Sequence, residues 1–270
     1  MFIDRFAAAS GEAICRLPLG DPWEVAEEHF YPWNTIDIVP DSPVRLPLVG
    51  YGSLMNRSSA RRTLSEQSVS SARPVLVMGA RRVYEYVMSP RGRKIYGEQE
   101  AEGRFGVLNA RSSNDSSDWF NGIQYELDAV DIMALVERES AYDLLPAWTI
   151  PWDAKDSAPQ IGYFLSCRTE THEGRQLLDS QLLPHPNYHA ICEQGCRDVS
   201  PDFLTAFHRS TWVREARMID AAETLARPPP RHRPLRVADT KRWLTTRHYF
   251  TNNALMSLKP FISTAFPDGS

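Results

Sequence analysis

The segment LPLVGYGSLMNRSSARRTL, from Leu46 to Leu64, sets the tightest local constraint on how this chain can fold. An apolar run stops at Gly50 and Gly52, so a buried strand has to turn within a few residues into a polar, helix-compatible stretch. Leu46 to Tyr51 reads as a short buried strand. Asn56 or Ser58 can cap a helix that begins near Ser59 and turns Ala60 and Leu64 inward. Without a side chain at Gly52, another group can approach the backbone closely, and the N–H groups of such a turn can hold an anion. The turn is therefore a connector or a binding cradle. Ser53 can donate its hydroxyl to a ligand or cap the turn itself.

Beyond it, PVLVMGARRVYEYVM is rich in strand formers, with Gly79 allowing a bend or bulge between Val77 and Arg82. RFGVLNAR and FNGIQYEL give two more strands around the polar connection SSNDSSD. DAVDIMALVERESAY then changes to helical spacing, which puts Ile132, Leu135, Val136 and Glu139 on one broad face. A carboxylate on a core-facing stripe has to be ion-paired, hydrated or used. IGYFLSCRT reads as a strand, and NYHAICEQGCRDV and PDFLTAFHRSTWV as two helices, with Ser200 capping the second and Pro201 starting it. RPPPRHRPLR, from Arg227, can form neither a helix nor a central strand and is expected to run extended.

These patterns divide the chain into residues 1–45, an irregular aromatic- and proline-rich extension packing on the core; 46–215, the main domain; and 216–270, a Pro/Arg-rich linker with a C-terminal extension. With 270 residues and 42% hydrophobic composition, one sizeable core is expected. Thirty Lys and Arg against 34 Asp and Glu leave a formal charge of −4, which supplies no cationic footprint for nucleic acid. No apolar run reaches membrane-span length, and Asp4, Arg5 and Glu12 interrupt any secretory leader. Cys15, Cys167, Cys192 and Cys196 are too few for a disulfide scaffold, so a cytoplasmic location is expected. A small molecule is the expected partner, with no nucleic acid and no membrane; the oligomeric state is left open.

His185, His189, Cys192 and Cys196 form the most metal-like cluster, yet Pro186 and Gly195 interrupt their ligand vectors, and a packed helix with inert thiols is the expectation. Gly50 and Gly52 lack the third glycine of a dinucleotide fingerprint and the Gly-Lys-Ser/Thr of a phosphate loop. Ser53 lacks the Gly-x-Ser-x-Gly frame of a nucleophile elbow. No cofactor and no metal are expected.

The ordered series GYGSLM (Gly50–Met55), ARRVYEY (Ala80–Tyr86), NGIQYEL (Asn121–Leu127), LVERES (Leu135–Ser140) and PHPNYHAICEQGCRDV (Pro184–Val199) resembles the gamma-glutamylcyclotransferase-like family over about residues 46 to 215. Two positions differ from that family's habit: Ser140 stands where a glycine usually follows the catalytic glutamate, and Glu85 where asparagine is common. The resemblance implies an α+β fold, a small mixed barrel or strongly curved sheet surrounded by helices. It also implies cleavage of a gamma-glutamyl amine or peptide by attack of its own alpha-amine on the gamma-carbonyl, releasing 5-oxoproline and the free amine.

Such a reaction needs neither metal nor covalent nucleophile, because holding both reacting groups in one folded chain supplies much of the barrier reduction. It needs a group that takes a proton from the ammonium and returns one to the leaving nitrogen. The resemblance gives this role to Glu139. It gives the glutamyl end to the loop Tyr51, Gly52, Ser53 and Leu54, whose N–H groups can hold the alpha-carboxylate or the oxyanion. Tyr125 and Tyr188 are expected in the pocket wall, and Arg82 can balance a substrate carboxylate or snorkel from a strand edge. Trp23, Trp33, Trp243 and Tyr249 are expected as anchors of the extensions or as pocket wall. Two alternatives stay open: an inactive binding or regulatory protein on the same fold, and a related amidohydrolase or acyltransferase.

Overall fold

The computed structural model describes residues 2–6, 13–18, 20–26, 30, 33, 38–97, 105–113, 115, 117–139, 141–154, 157–167, 176–214 and 216–218. The chain divides into units Met1–Arg217 and Met218–Ser270, and the elements below belong to the first. The proline tract from Arg227, Trp243, Tyr249 and Ser140 lie outside the described residues.

In chain order the strands are β1 (Phe2–Phe6), β2 (Ala13–Pro18), β3 (Leu46–Gly50), β4 (Arg73–Met78), β5 (Ala80–Val87), β6 (Phe105–Ser112), β7 (Trp119–Leu127), β8 (Tyr142–Pro151), β9 (Gln160–Cys167), β10 (Leu183–Pro184), β11 (Thr211–Val213) and β12 (Ala216–Arg217). The helices are α1 (Arg57–Ala60), α2 (Glu66–Ser70), α3 (Pro90–Tyr96), α4 (Ala129–Arg138), α5 (Pro186–Val199) and α6 (Pro201–Ser210).

Strands β3, β7, β4, β8 and β9 close into a barrel in that order. Its seam is the parallel contact of β3 with β9 at Leu48 and Tyr163. A second sheet runs β10, β6, β5, β11, β12. This is the expected α+β architecture of barrel and surrounding helices. Phe120 and Phe164, both buried, meet across the barrel with their rings edge-on at 5.9 Å. Phe30 from the N-terminal segment packs edge-on against Tyr163 at 5.2 Å, and Trp33 is buried as well, whereas Trp23 is exposed.

Several local expectations are met by specific contacts. The Asn56 side chain accepts from Ser59 N at the start of α1, and Ala60 and Leu64 are buried. Gly79, at φ 69°, turns β4 into β5. Ser200 accepts from Phe203 N while Pro201 opens α6. Helix α4 begins at Asp128, whose side chain accepts from Asp131 N, and buries Ile132 and Leu135. Asp131 accepts in turn from the Ser65 backbone N–H and hydroxyl, at 3.0 and 2.8 Å, tying α4 to the N-terminus of α2.

Two expectations are corrected. The first residues are not an irregular arm, because FIDRF and AICRLP pair as the antiparallel hairpin β1–β2. Apolar and β-branched positions in both runs favour a ladder that satisfies the backbone. The second predicted late helix ends at Ser210, and Thr211, Trp212 and Val213 leave it to run parallel to β5, with Thr211 opposite Arg82. These are strand-forming residues following a completed helix face.

Candidate functional site

The turn after β3 is braced from every side. A Cβ on Gly52 would meet Tyr188 Oη at 2.2 Å, so only glycine fits beneath that buried phenol. A Cβ on Gly195 of α5 would meet the Met55 backbone at 2.5 Å, so the helix rests directly on the turn. Tyr125 donates its hydroxyl to Leu54 O at 2.6 Å, and Tyr51 donates to Leu165 O on β9 at 2.6 Å. The 3-10 turn Ser53–Met55 bonds back through Met55 N to Gly52 O at 2.9 Å, while Gly52, as its N-cap, offers no side chain to its first amides. Those amides are the donors available to an anion.

Glu139 is the residue at which α4 stops. Its N–H bonds Leu135 O, its carbonyl accepts from Tyr142 N, and its carboxylate pairs with Arg138 at 2.8 Å while remaining a quarter exposed. It lies within electrostatic reach of the turn. Burial first, and the Glu139 charge second, push the Tyr51 hydroxyl far above its ordinary range. Burial also raises Tyr86 and Tyr142, and both feel the same carboxylate. Tyr86 and Tyr142 stack at 5.3 Å, bridging the second sheet and the barrel beside it. On the other side of the turn, Tyr96 meets Tyr188 edge-on at 5.2 Å. Ser53, Leu54, Tyr86, Tyr96, Tyr142 and Glu139 are only partly buried, whereas Tyr51, Tyr125 and Tyr188 are buried.

The proposed site residues therefore separate into groups. Tyr188 packs over Gly52 of the Tyr51–Leu54 turn, and the Glu139 charge acts on the Tyr51 hydroxyl. Tyr125 is corrected from pocket donor to brace, since its proton is given to Leu54 O. Arg82 is corrected most fully. It is completely buried, and its nitrogens donate to Asn121 O (2.6 Å) and Oδ1 (2.9 Å), Thr211 Oγ1 (2.9 Å), Ser210 Oγ (3.0 Å) and Phe207 O (3.2 Å). With its donors committed to β7, α6 and β11, it holds the barrel to the second sheet rather than reaching a substrate. Burial among neutral acceptors pulls the guanidinium down to about 10.

Sequence reasoning does not single out Tyr86, Tyr96 or Tyr142. Only Tyr86 carries a signal, as part of the ARRVYEY run, and its partner Tyr142 comes from a distant strand. Glu85 sits where β5 slips register against β6 between Tyr84 and Tyr86. Its buried carboxylate accepts from Asn109 Nδ2 at 2.9 Å and pairs with Arg111 at 3.3 Å, while Asn109 Oδ1 accepts from Cys167 N. The four residues of the sequence-level metal cluster diverge. His185 caps α5 and bonds Gly97 O, Cys196 faces Met55, and His189 faces Tyr84.

No family model matches the chain, and no curated protein does. Solved structures do. The chain is similar to a gamma-glutamyl cyclotransferase at 9% identity and a TM-score of 0.41, over 61% of this chain and 86% of that one. It is also similar to a glutathione-specific gamma-glutamyl cyclotransferase from yeast, at 13% identity and a TM-score of 0.38, over 60% and 93% of the two chains. A third is the uncharacterized human protein loc79017, at 9% identity and a TM-score of 0.38, over 73% and 96%. Among the described residues no helix is long and apolar enough to cross a membrane.

Proposed function

We propose that this protein cleaves a gamma-glutamyl amine or peptide by cyclisation, with Glu139 as the proton-transfer group and the Tyr51–Leu54 turn as the glutamyl cradle. The reading is supported by a glycine turn without a side-chain cap and by a helix-terminal carboxylate whose charge acts on Tyr51 of that turn. Turn amides take the substrate's alpha-carboxylate or the oxyanion that forms on the gamma-carbonyl. Glu139 removes a proton from the alpha-ammonium, and the freed lone pair attacks the gamma-carbonyl carbon. The tetrahedral intermediate collapses with cleavage of the gamma C–N bond; the protonated Glu139 returns its proton to the departing nitrogen, and the ring nitrogen gives up its second proton to the released amine, which leaves as the ammonium. The products are 5-oxoproline and the free amine, and the carboxylate is regenerated. Binding geometry supplies the rest of the acceleration, by keeping amine and carbonyl in contact.

The test is a panel of gamma-glutamyl amines, amino acids and dipeptides with product analysis. Release of 5-oxoproline supports the reading, whereas free glutamate would assign hydrolysis. Saturable binding without product would favour the inactive binding protein, a reading supported by the buried Glu85 carboxylate at its departure from the family's asparagine.

A further inference from the structure

We propose that His189, Glu193 and His208 form a binding site for one divalent transition-metal ion, with zinc the best match to the donor set. His189 and Glu193 lie one turn apart on α5, so they share a face. The chain reverses at Ser200 and Pro201, and α6 brings His208 against that face. His189 Nε2 is 3.4 Å from Glu193 Oε1, His208 Nε2 is 2.7 Å from the same oxygen, and one ligand atom from each residue lies within 4.8 Å of the others. Four-coordinate zinc with bonds of about 2.0–2.1 Å separates its ligand atoms by roughly 3.4 Å, so the 2.7 Å contact has to open by less than about 1 Å and the widest spacing, within 4.8 Å, has to close by up to about 1.4 Å.

Three further features fit a ligand set. Tyr84 Oη is 2.8 Å from His189 Nδ1, the outer-shell contact that fixes an imidazole with its other nitrogen toward a metal. Arg197 occupies Glu193 Oε2 at 2.8 Å, which leaves Oε1 as the single carboxylate donor. The histidine side chains are 20% and 32% exposed, so an ion can enter and water can complete its shell. Cys192 and Cys196 lie elsewhere, in the buried surroundings of Arg82, and burial pushes Cys196 up to about 12, far from a thiolate ligand. The consequence is a clamp across α5 and α6, the helix pair whose first member carries Tyr188 and Gly195 against the Gly52 turn.

The test is titration of the chelator-stripped full chain with Zn(II) by calorimetry, and with Co(II) by visible absorption. The wild type is expected to show a saturable site that raises the melting temperature. His208→Ala and Glu193→Gln should each weaken that site at least tenfold, Tyr84→Phe about tenfold, and Cys192→Ser with Cys196→Ser not at all. Absence of saturable binding in the wild type would overturn the proposal. So would unchanged affinity in His208→Ala, or a cobalt–thiolate band that disappears with the cysteines. If Glu193→Gln fails to fold by circular dichroism, His208→Ala decides, since that side chain is a third exposed.

Discussion

Replacing Gly52 by alanine tests the cradle where its geometry is tightest. The added methyl would lie 2.2 Å from Tyr188 Oη but 3.4 Å from Cζ, so a single oxygen atom makes the clash. Tyr188 cannot swing aside easily, because it is buried and packed edge-on against Tyr84 at 6.5 Å and Tyr96 at 5.2 Å. Relief therefore requires the turn to move by about 1 Å, a displacement that can cost on the order of 100-fold in rate when it misaligns reacting groups. Overpacking of this kind also costs about 1–3 kcal/mol of stability. The assays are 5-oxoproline release and the urea midpoint. Tyr188→Phe in the same chain removes the offending oxygen and leaves an ordinary contact, so the double variant should regain most of both losses. Wild-type stability and turnover in Gly52→Ala, or a double variant as impaired as the single one, would refute the close-approach argument.

Further outcomes follow from the buried groups. Arg82→Met strands acceptors on Asn121, Phe207 and Ser210 and should lower stability by about 3 kcal/mol or more in urea unfolding, with KM unchanged; a raised KM at full stability would return Arg82 to the substrate. Burial pushes Cys167 from 9.0 up to about 11, so its stabilising contribution is complete below the unfolded value and is lost as pH climbs toward the folded one. The urea midpoint should fall over that alkaline window, less steeply in Cys167→Ser, and alkylation of the folded protein near neutrality should be slow. Burial, only partly offset by its bond to Gly97 O, lowers His185 below 6.5; its contribution is present above that value and lost as pH falls through the depressed one. His185→Asn, which keeps a capping side chain, should flatten the acid limb of midpoint against pH.

Where structure is decided by neighbours in sequence, it is legible there. The glycine pair after β3, the Asn56 cap, the Gly79 turn, the Ser200–Pro201 junction and the α4 stripe each depend on residues within one or two turns. What escapes a sequence reading depends on partners far along the chain. Arg82 looks like a strand-edge cation until β7, α6 and β11 converge on it, and Tyr142 stands beside Tyr86 only because β8 closes the barrel. Register also hides information: the slip between Tyr84 and Tyr86 changes which face follows, so simple alternation cannot place Glu85. His208 likewise joins His189 and Glu193 only after the helix reversal.

The proton-transfer role of Glu139 is tested most directly by comparing 5-oxoproline release from wild type and Glu139→Gln on a gamma-glutamyl substrate that both bind. The amide keeps the size and much of the hydrogen bonding but cannot shuttle a proton, so substrate affinity should persist while turnover falls roughly 100- to 10,000-fold. Equal rates of ring closure in the two proteins would contradict the account.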